Sequence, residues 1–257
     1  MHDPEKFAAV EDNFIHIHGA LLKDLARIIA GGVPLFLESF GRFARILAVH
    51  TYLEEELFFP ALEERAPGSS SSTEAPHREI EEHLVQLAAW AEGIDAPSPA
   101  TVRERLIRFQ RELEGHLIEE MRVVMPAMMR NFSAAELWAL DGRIMEFCSP
   151  EFMQEMMPWW FIHMDLEGRV AVAGNMLTSV DPNFVPVLAQ WIAGGLDLDA
   201  WQELVARVPA LGEAQGQAVL EIQVTDARDS ADPRPRIRPR VRHSPVDSLR
   251  QGSGQEK

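Results

Sequence analysis

The sequence predicts an all-α fold: an up-down-up-down four-helix bundle, then additional shorter helices, then a disordered C-terminal tail. Three observations predict it. Apolar residues recur at helical spacing over four long segments. Strand signals are scarce. Short connections rich in Gly, Pro and Ser separate the segments, which favours antiparallel neighbours. The implied division is 1–131 for the bundle, 132–223 for further helices packed on it, and 224–257 for the tail.

Phe14, His18, Leu21, Leu22, Leu25 and Ile29 share one helical stripe, and Gly31-Gly32 reads as its stop. Pro34 opens a second pattern through Phe36, Phe40, Phe43, Ile46 and Leu47, to about Arg65. "APGSSSSTEAP" is a flexible loop by composition. A third helix runs from about Pro76 to Glu92 and ends at Gly93. "GIDAPSPA" connects it to a fourth. Ser98 is placed to cap that helix, with Pro99 at its first position, and it continues to about Arg130. "SAAE" at Ser133–Glu136 is a capping-box pattern. Ser149-Pro150 and Asp181-Pro182 mark two more helix starts. "EMMPWWFIHM", from Glu155 to Met164, is dense enough in apolar residues for a core or an interface.

The chain of 257 residues carries a formal charge of −16. An acidic body opposes nucleic-acid binding, which needs a basic surface. From Asp226 to Lys257 eight basic residues face five acidic ones, a net +3 that leaves −19 for the rest. "PRPRIRPRVRH" in that tail cannot form a helix and buries almost nothing. It is an extended, solvated segment, or an arm for an anion or a protein partner. No apolar run approaches the roughly 20 residues that span a bilayer, and the N-terminus lacks the apolar core of a signal peptide. The single cysteine, Cys148, excludes a disulfide within the chain and suits a reducing, cytoplasmic setting.

The chemistry lies in a repeat. "HTYLEEELFFPAL" (His50–Leu62) and "HLIEEMRVVMPAM" (His116–Met128) align without a gap. Each reads His, three residues, Glu, five residues, Pro-Ala. His50 pairs with His116, Glu54 with Glu120 and Pro60 with Pro126. Spacing of i, i+4 stacks imidazole and carboxylate on one helix face, and here that face is apolar. A buried carboxylate is costly unless compensated. A divalent cation turns it into a ligand and uses the lone pair of neutral histidine. Imidazole nitrogen with carboxylate oxygen suits iron, manganese or zinc. Two such faces supply four ligands, and two carboxylates suit the bridging of a metal pair.

Helices one and three should complete the shell. His16 and His18 lie about 200° apart on a helix, and His18 shares the stripe of Phe14, Leu21 and Leu25, so His16 is expected in solvent. On the third helix the choice is between His77 and His83. His116 lies about 25 Å up its helix from Pro99. His77 reaches nearly the same level, and His83 falls roughly 9 Å short, which favours His77. Tyr52 points away from His50 and reads as packing. His163 reads as structural, with only Glu167 at ligand spacing.

These residues resemble the hemerythrin-like domains, also called HHE cation-binding domains. The resemblance covers about residues 10–130 and rests on "HGALLKDL", the two His-x3-Glu-x5-Pro motifs and "HREIEEHL". Members of that family are four-helix bundles holding a non-heme di-iron centre, bridged by two carboxylates and usually an oxo or hydroxo group. The resemblance implies two iron ions, with metal ligands at His18, His50, His77 and His116 and bridging carboxylates at Glu54 and Glu120.

Oxygen-carrying hemerythrins have His-x3-His on helix three and His-x4-Asp on helix four. Here Glu81 stands four after His77, and Met121 five after His116. Glu81 is a candidate extra carboxylate or outer partner. More anionic oxygen and less imidazole favour ferric iron over reversible oxygen carriage. The resemblance implies a protein that binds or reacts with O2, peroxide or NO, in sensing, scavenging or iron handling. A second expectation is a di-iron oxidase, oxygenase or peroxidase with an organic substrate. A third is a metal-stabilised interaction module, whose contact surface is "EMMPWWFIHM" or the tail.

Overall fold

The computed structural model describes residues 3–71, 73–92 and 98–215. The Arg/Pro tail and the Gly93 helix stop lie outside them. The described residues form helices and turns, with no strand among them. The chain divides into two compact units, residues 1–149 and residues 150–257.

The first unit opens with α1 (Pro4–Glu11), capped by the Asp3 carboxylate and with proline at its first position. A π-helical turn (Asp12–His16) leads without interruption into α2 (Ile17–Leu53). The helix predicted from Phe14 thus begins a full ten residues earlier, because the π turn keeps the backbone bonded through Asp12. Along α2 one residue is non-helical: Gly32, at φ 64° and ψ −153°. Side chains other than glycine's hardly enter that region. His18 and His50 on a straight helix would stand about 48 Å apart. Their Nε2 atoms are 3.1 Å apart. The chain therefore doubles back at Gly32 into limbs 17–31 and 33–53, and Pro34 is the second residue of the new limb.

A second π turn (Glu54–Phe58) and α3 (Phe59–Arg65) prolong the second limb. The Glu63 carboxylate accepts bonds from the Gly68 and Ser70 amides at 2.6 and 2.7 Å, gathering the Ser-rich connection back onto α3. Then come α4 (Glu74–Ala91) and α5 (Pro99–Arg122), the latter capped by Ser98 through the Thr101 amide. Both limbs of α2 supply the core with α4 and α5. Leu21, Leu25 and Ile28 of the first limb are fully buried, as are Phe36, Phe40 and Phe43 of the second. Phe109 of α5 meets Phe40 and Phe43 edge-on with ring centres 6.4 Å apart, and Trp90 of α4 meets Phe36 at 6.2 Å.

The fourth predicted helix is broken. Val123 has φ −114° and separates α5 from α6 (Val124–Asn131). Pro126 explains the break: it cannot donate to the backbone, and its ring crowds the preceding turn. α7 (Ala134–Gly142) starts with the expected Ser133–Glu136 capping box. Arg65 binds Glu136 at 2.6 Å and ties α3 to α7.

The second unit contains α8 (Pro150–Ile162), α9 (Leu166–Ser179), a 3-10 turn (Pro182–Phe184), α10 (Val185–Ala193) and α11 (Leu198–Arg207). Asp165 and Asp197 cap α9 and α11. Gly195 passes so near α8 that a Cβ would sit 2.5 Å from the Pro158 Cα. Met157, Trp159 and Phe161 are buried. "EMMPWWFIHM" is thus mostly core, with Ile162 its exposed large apolar residue. No helix among the described residues is long and apolar enough to cross a membrane.

Candidate metal centre

Each limb of the α2 hairpin brings one histidine to the same level: His18 near the start, His50 near the end. Glu54 follows one turn after His50, as the first residue of the π turn. There the Phe59 amide bonds the Glu54 carbonyl five residues back. The wider turn accommodates Pro60, which has no N–H to give. On α5, His116 and Glu120 repeat the one-turn pairing, and the break at Val123 again lies between the carboxylate and its proline. The prolines of the repeat thus mark where both helices leave regular α geometry, just beyond the carboxylates.

Six side chains meet. His18 Nε2 lies 3.5 Å from Glu120 and 4.0 Å from Glu54. His50 Nε2 lies 3.4 Å from Glu54. His77 Nε2 lies 3.0 Å from Glu120 and 3.6 Å from Glu54, and His116 Nε2 lies 3.1 Å from Glu120. All six are buried, with Glu120 wholly inaccessible. They form two groups, each with potential ligand atoms within 4.8 Å of one another. One holds His18, His50, Glu54 and Glu120; the other holds His77, His116, Glu54 and Glu120. The two glutamates belong to both.

The two carboxylates are electrostatically unlike. Burial raises the Glu54 value well above the usual range, and the neighbouring Glu120 and Glu55 raise it further. Burial pushes Glu120 the same way, yet hydrogen bonds from His116 and His77 win and hold it well below the usual range. Burial lowers His18 to about 4, against the pull of Glu120. His50 lies well below its ordinary value through burial and the nearby His18. Burial opposes a charge on His77 too, but bonds to Glu120 and Glu55 outweigh it and raise the value to about 9.

The donor set fits a cation. Both Glu54 carboxylate oxygens and Glu120 Oε2 are buried without a hydrogen-bond partner among the described residues. Such groups cost several kcal/mol, on the order of 3 or more, unless something compensates them. Four imidazole nitrogens and two carboxylates would compensate one another through bound divalent metal, of the borderline class that such donors select. Phe59 stacks on the His77 ring at 5.4 Å, and Phe14 meets His18 edge-on at 6.0 Å. These rings wall the centre with apolar surface.

Other residues singled out from the sequence lie elsewhere. Glu81 is exposed on α4 and is not among the six. The outer carboxylate on His77 is instead Glu55, 2.9 Å from Nδ1. Helix spacing does not single out Glu55, although the repeat signals it: Met121 stands at the matching place in the second motif. His83 pairs with Glu112 at 2.6 Å, half-exposed. The cavity beside that pair, lined by Thr101, Arg105 and Arg108 among others, includes none of the six. His16 is half-buried beside Glu11 at 3.7 Å instead of standing in solvent, because the π turn draws the first helix against its neighbours. Tyr52 packs on Phe147. His163 Nδ1 lies 2.7 Å from the Trp159 carbonyl, while Glu167 binds Arg207.

Residues 10–128 match the sequence profile described as "Hemerythrin HHE cation binding domain". A curated relative, the "Zinc finger protein BRUTUS-like" of Arabidopsis thaliana, is 22% identical over 152 residues, 56% of this chain and 12% of that protein. The chain therefore spans a small fraction of the relative it matches. No solved structure matches the chain. Profile, helices and buried cation-ligand groups agree: residues 10–128 of this chain are a domain of the hemerythrin HHE cation-binding family.

Proposed function

We propose that the chain is a non-heme di-iron protein that binds or reacts with O2 or a related small oxidant. The observation that carries this reading is the sharing of Glu54 and Glu120 between two histidine pairs. In it, His18 and His50 would hold one metal and His77 and His116 the other, with Glu54 and Glu120 available to both. The limbs of α2 with α4 and α5 are then the four staves of an up-down-up-down bundle around the metals.

Bound iron supplies one-electron redox chemistry and a place for a small oxidant. The residues do the rest. Burial keeps His18 and His50 neutral, so that they present lone pairs, and two buried carboxylates would offset the metals' charge. Anionic oxygen stabilises the ferric state, which favours reaction over reversible carriage. Phe14 and Phe59, buried against the His18 and His77 rings, and Phe58, buried against Phe14, limit water. Glu55 holds the proton at His77 Nδ1.

The test is metal analysis of anaerobically reconstituted protein, followed by stopped-flow mixing with oxygenated buffer. Two irons per chain and oxidation of the ferrous protein with consumption of O2 are expected. One iron per chain, or two that stay ferrous and leave O2 unconsumed, overturns the reading.

A further inference from the structure

The six-residue centre is symmetric in its donors and asymmetric in what supports them. Each half has two imidazoles and the same two carboxylates. Among the described residues, His77 alone of the four histidines carries a carboxylate on its far nitrogen, with Glu55 Oε1 2.9 Å from Nδ1. The Nδ1 atoms of His18 and His116 are buried with no hydrogen-bond partner among the described residues.

The asymmetry is written in the repeat. Glu54 and Glu120 occupy matching positions, but the next residue is Glu55 in one motif and Met121 in the other. Glu55 stands inside the π turn that begins at Glu54, so one widened turn offers consecutive carboxylates to the centre and to the back of His77. The Glu55 side chain is 51% exposed while His77 is 2% exposed. It therefore stands at the edge of the site and escapes the cost of burial that Glu54 meets.

We propose that Glu55 is a positioning residue for His77, making the His77–His116 half the tighter and more oxidised of the two metal positions. The inference rests on the di-iron reading above. A carboxylate accepting the Nδ1 proton fixes the tautomer, aims Nε2 inward and strengthens it as a donor. His77 Nε2 does face both Glu120 and Glu54. Outer partners of this kind change metal affinity by about 10–100-fold.

The experiment is anaerobic titration of the full chain with ferrous iron against a competing chelator, for wild type, Glu55→Gln, Glu55→Ala and the neighbouring exposed control Glu56→Gln. Glu55→Ala should weaken one of the two binding steps by about 10–100-fold and leave the other within about threefold. Glu55→Gln, which keeps an acceptor for the Nδ1 proton without the charge, should recover part of the loss. Glu56→Gln should match wild type. In Mössbauer spectra of 57Fe-loaded protein, one of two iron signals should shift in Glu55→Ala. Equal binding constants in Glu55→Ala and wild type, or equal weakening of both steps, overturns the proposal alone. Fewer than two irons on the wild type overturns the di-iron reading and this proposal with it.

Discussion

Glu54 and Glu120 face the same imidazole nitrogen, His77 Nε2, at 3.6 and 3.0 Å, yet their proton affinities move in opposite directions. Glu120 has two close histidine partners. Glu54 has its own burial, two carboxylates nearby, and no hydrogen bond among the described residues to offset them. Without metal, burial and nearby carboxylates favour a proton on Glu54, and bonds to Glu120 and Glu55 favour one on His77. A cation has to replace these protons.

Metal uptake should therefore release protons. His77 must be neutral to ligate, and its value of about 9 means that it is charged at neutral pH before binding. Affinity should rise with pH until about 9 and fall in acid. Stability of the metal-free protein runs the other way. A histidine whose folded value exceeds the ordinary 6.5 stabilises fully below 6.5, and this contribution is lost as pH rises through about 9. Calorimetric titration at neutral pH, in two buffers of different ionisation enthalpy, should show at least one proton released per chain. Identical heats in the two buffers would contradict it.

His50→Ala and His116→Ala should each lose metal. At ligand a hundredfold above Kd, binding adds about 2.7 kcal/mol to stability, so the metal-loaded melting temperature should drop by several degrees in both variants. His83→Ala removes half-exposed surface pairing with Glu112 and should change stability by less than about 1 kcal/mol. Iron content of the three purified variants decides this. Loss of iron from His83→Ala would show that the wrong residues of α4 and α5 have been assigned.

Gly32→Ala should destabilise the first unit. At φ 64° and ψ −153° a side chain costs about 1–3 kcal/mol, although Gly32 has open space around it. The hairpin at Gly32 holds His18 against His50, so affinity should fall along with stability. Gly19→Ala, a helical glycine with equal space, should stabilise slightly or do nothing. Thermal melts of the two metal-free variants make the comparison.

Cys148 should be chemically inert in the folded protein. Burial pushes its thiol up to about 12, which makes the reactive thiolate scarcer by on the order of a thousandfold. Iodoacetamide at pH 8 should leave native protein unmodified over hours and label it fully in guanidinium chloride. Rapid native labelling would show that the region around Cys148 opens readily.

By itself the sequence determined what local rules govern. Apolar spacing set the helices, Gly31-Gly32 and Ser133–Glu136 set a reversal and a cap, and the i, i+4 pairing of His50 with Glu54 and His116 with Glu120 needs no knowledge of the fold. His18 and His77 followed from stripe and height, because a straight helix maps residue number onto direction and length. That mapping fails where the helix is not regular. The π turns at Asp12 and Glu54 shift the faces, so His16 is half-buried, and Glu55 takes the place beside His77 that helix spacing suggested for Glu81. Only the tertiary structure could decide these matters, and with them the unlike protonation of two glutamates at matching positions of a repeat. Each depends on distances between groups far apart in the chain, and Coulomb and hydrogen-bond energies are set by those distances, not by sequence spacing.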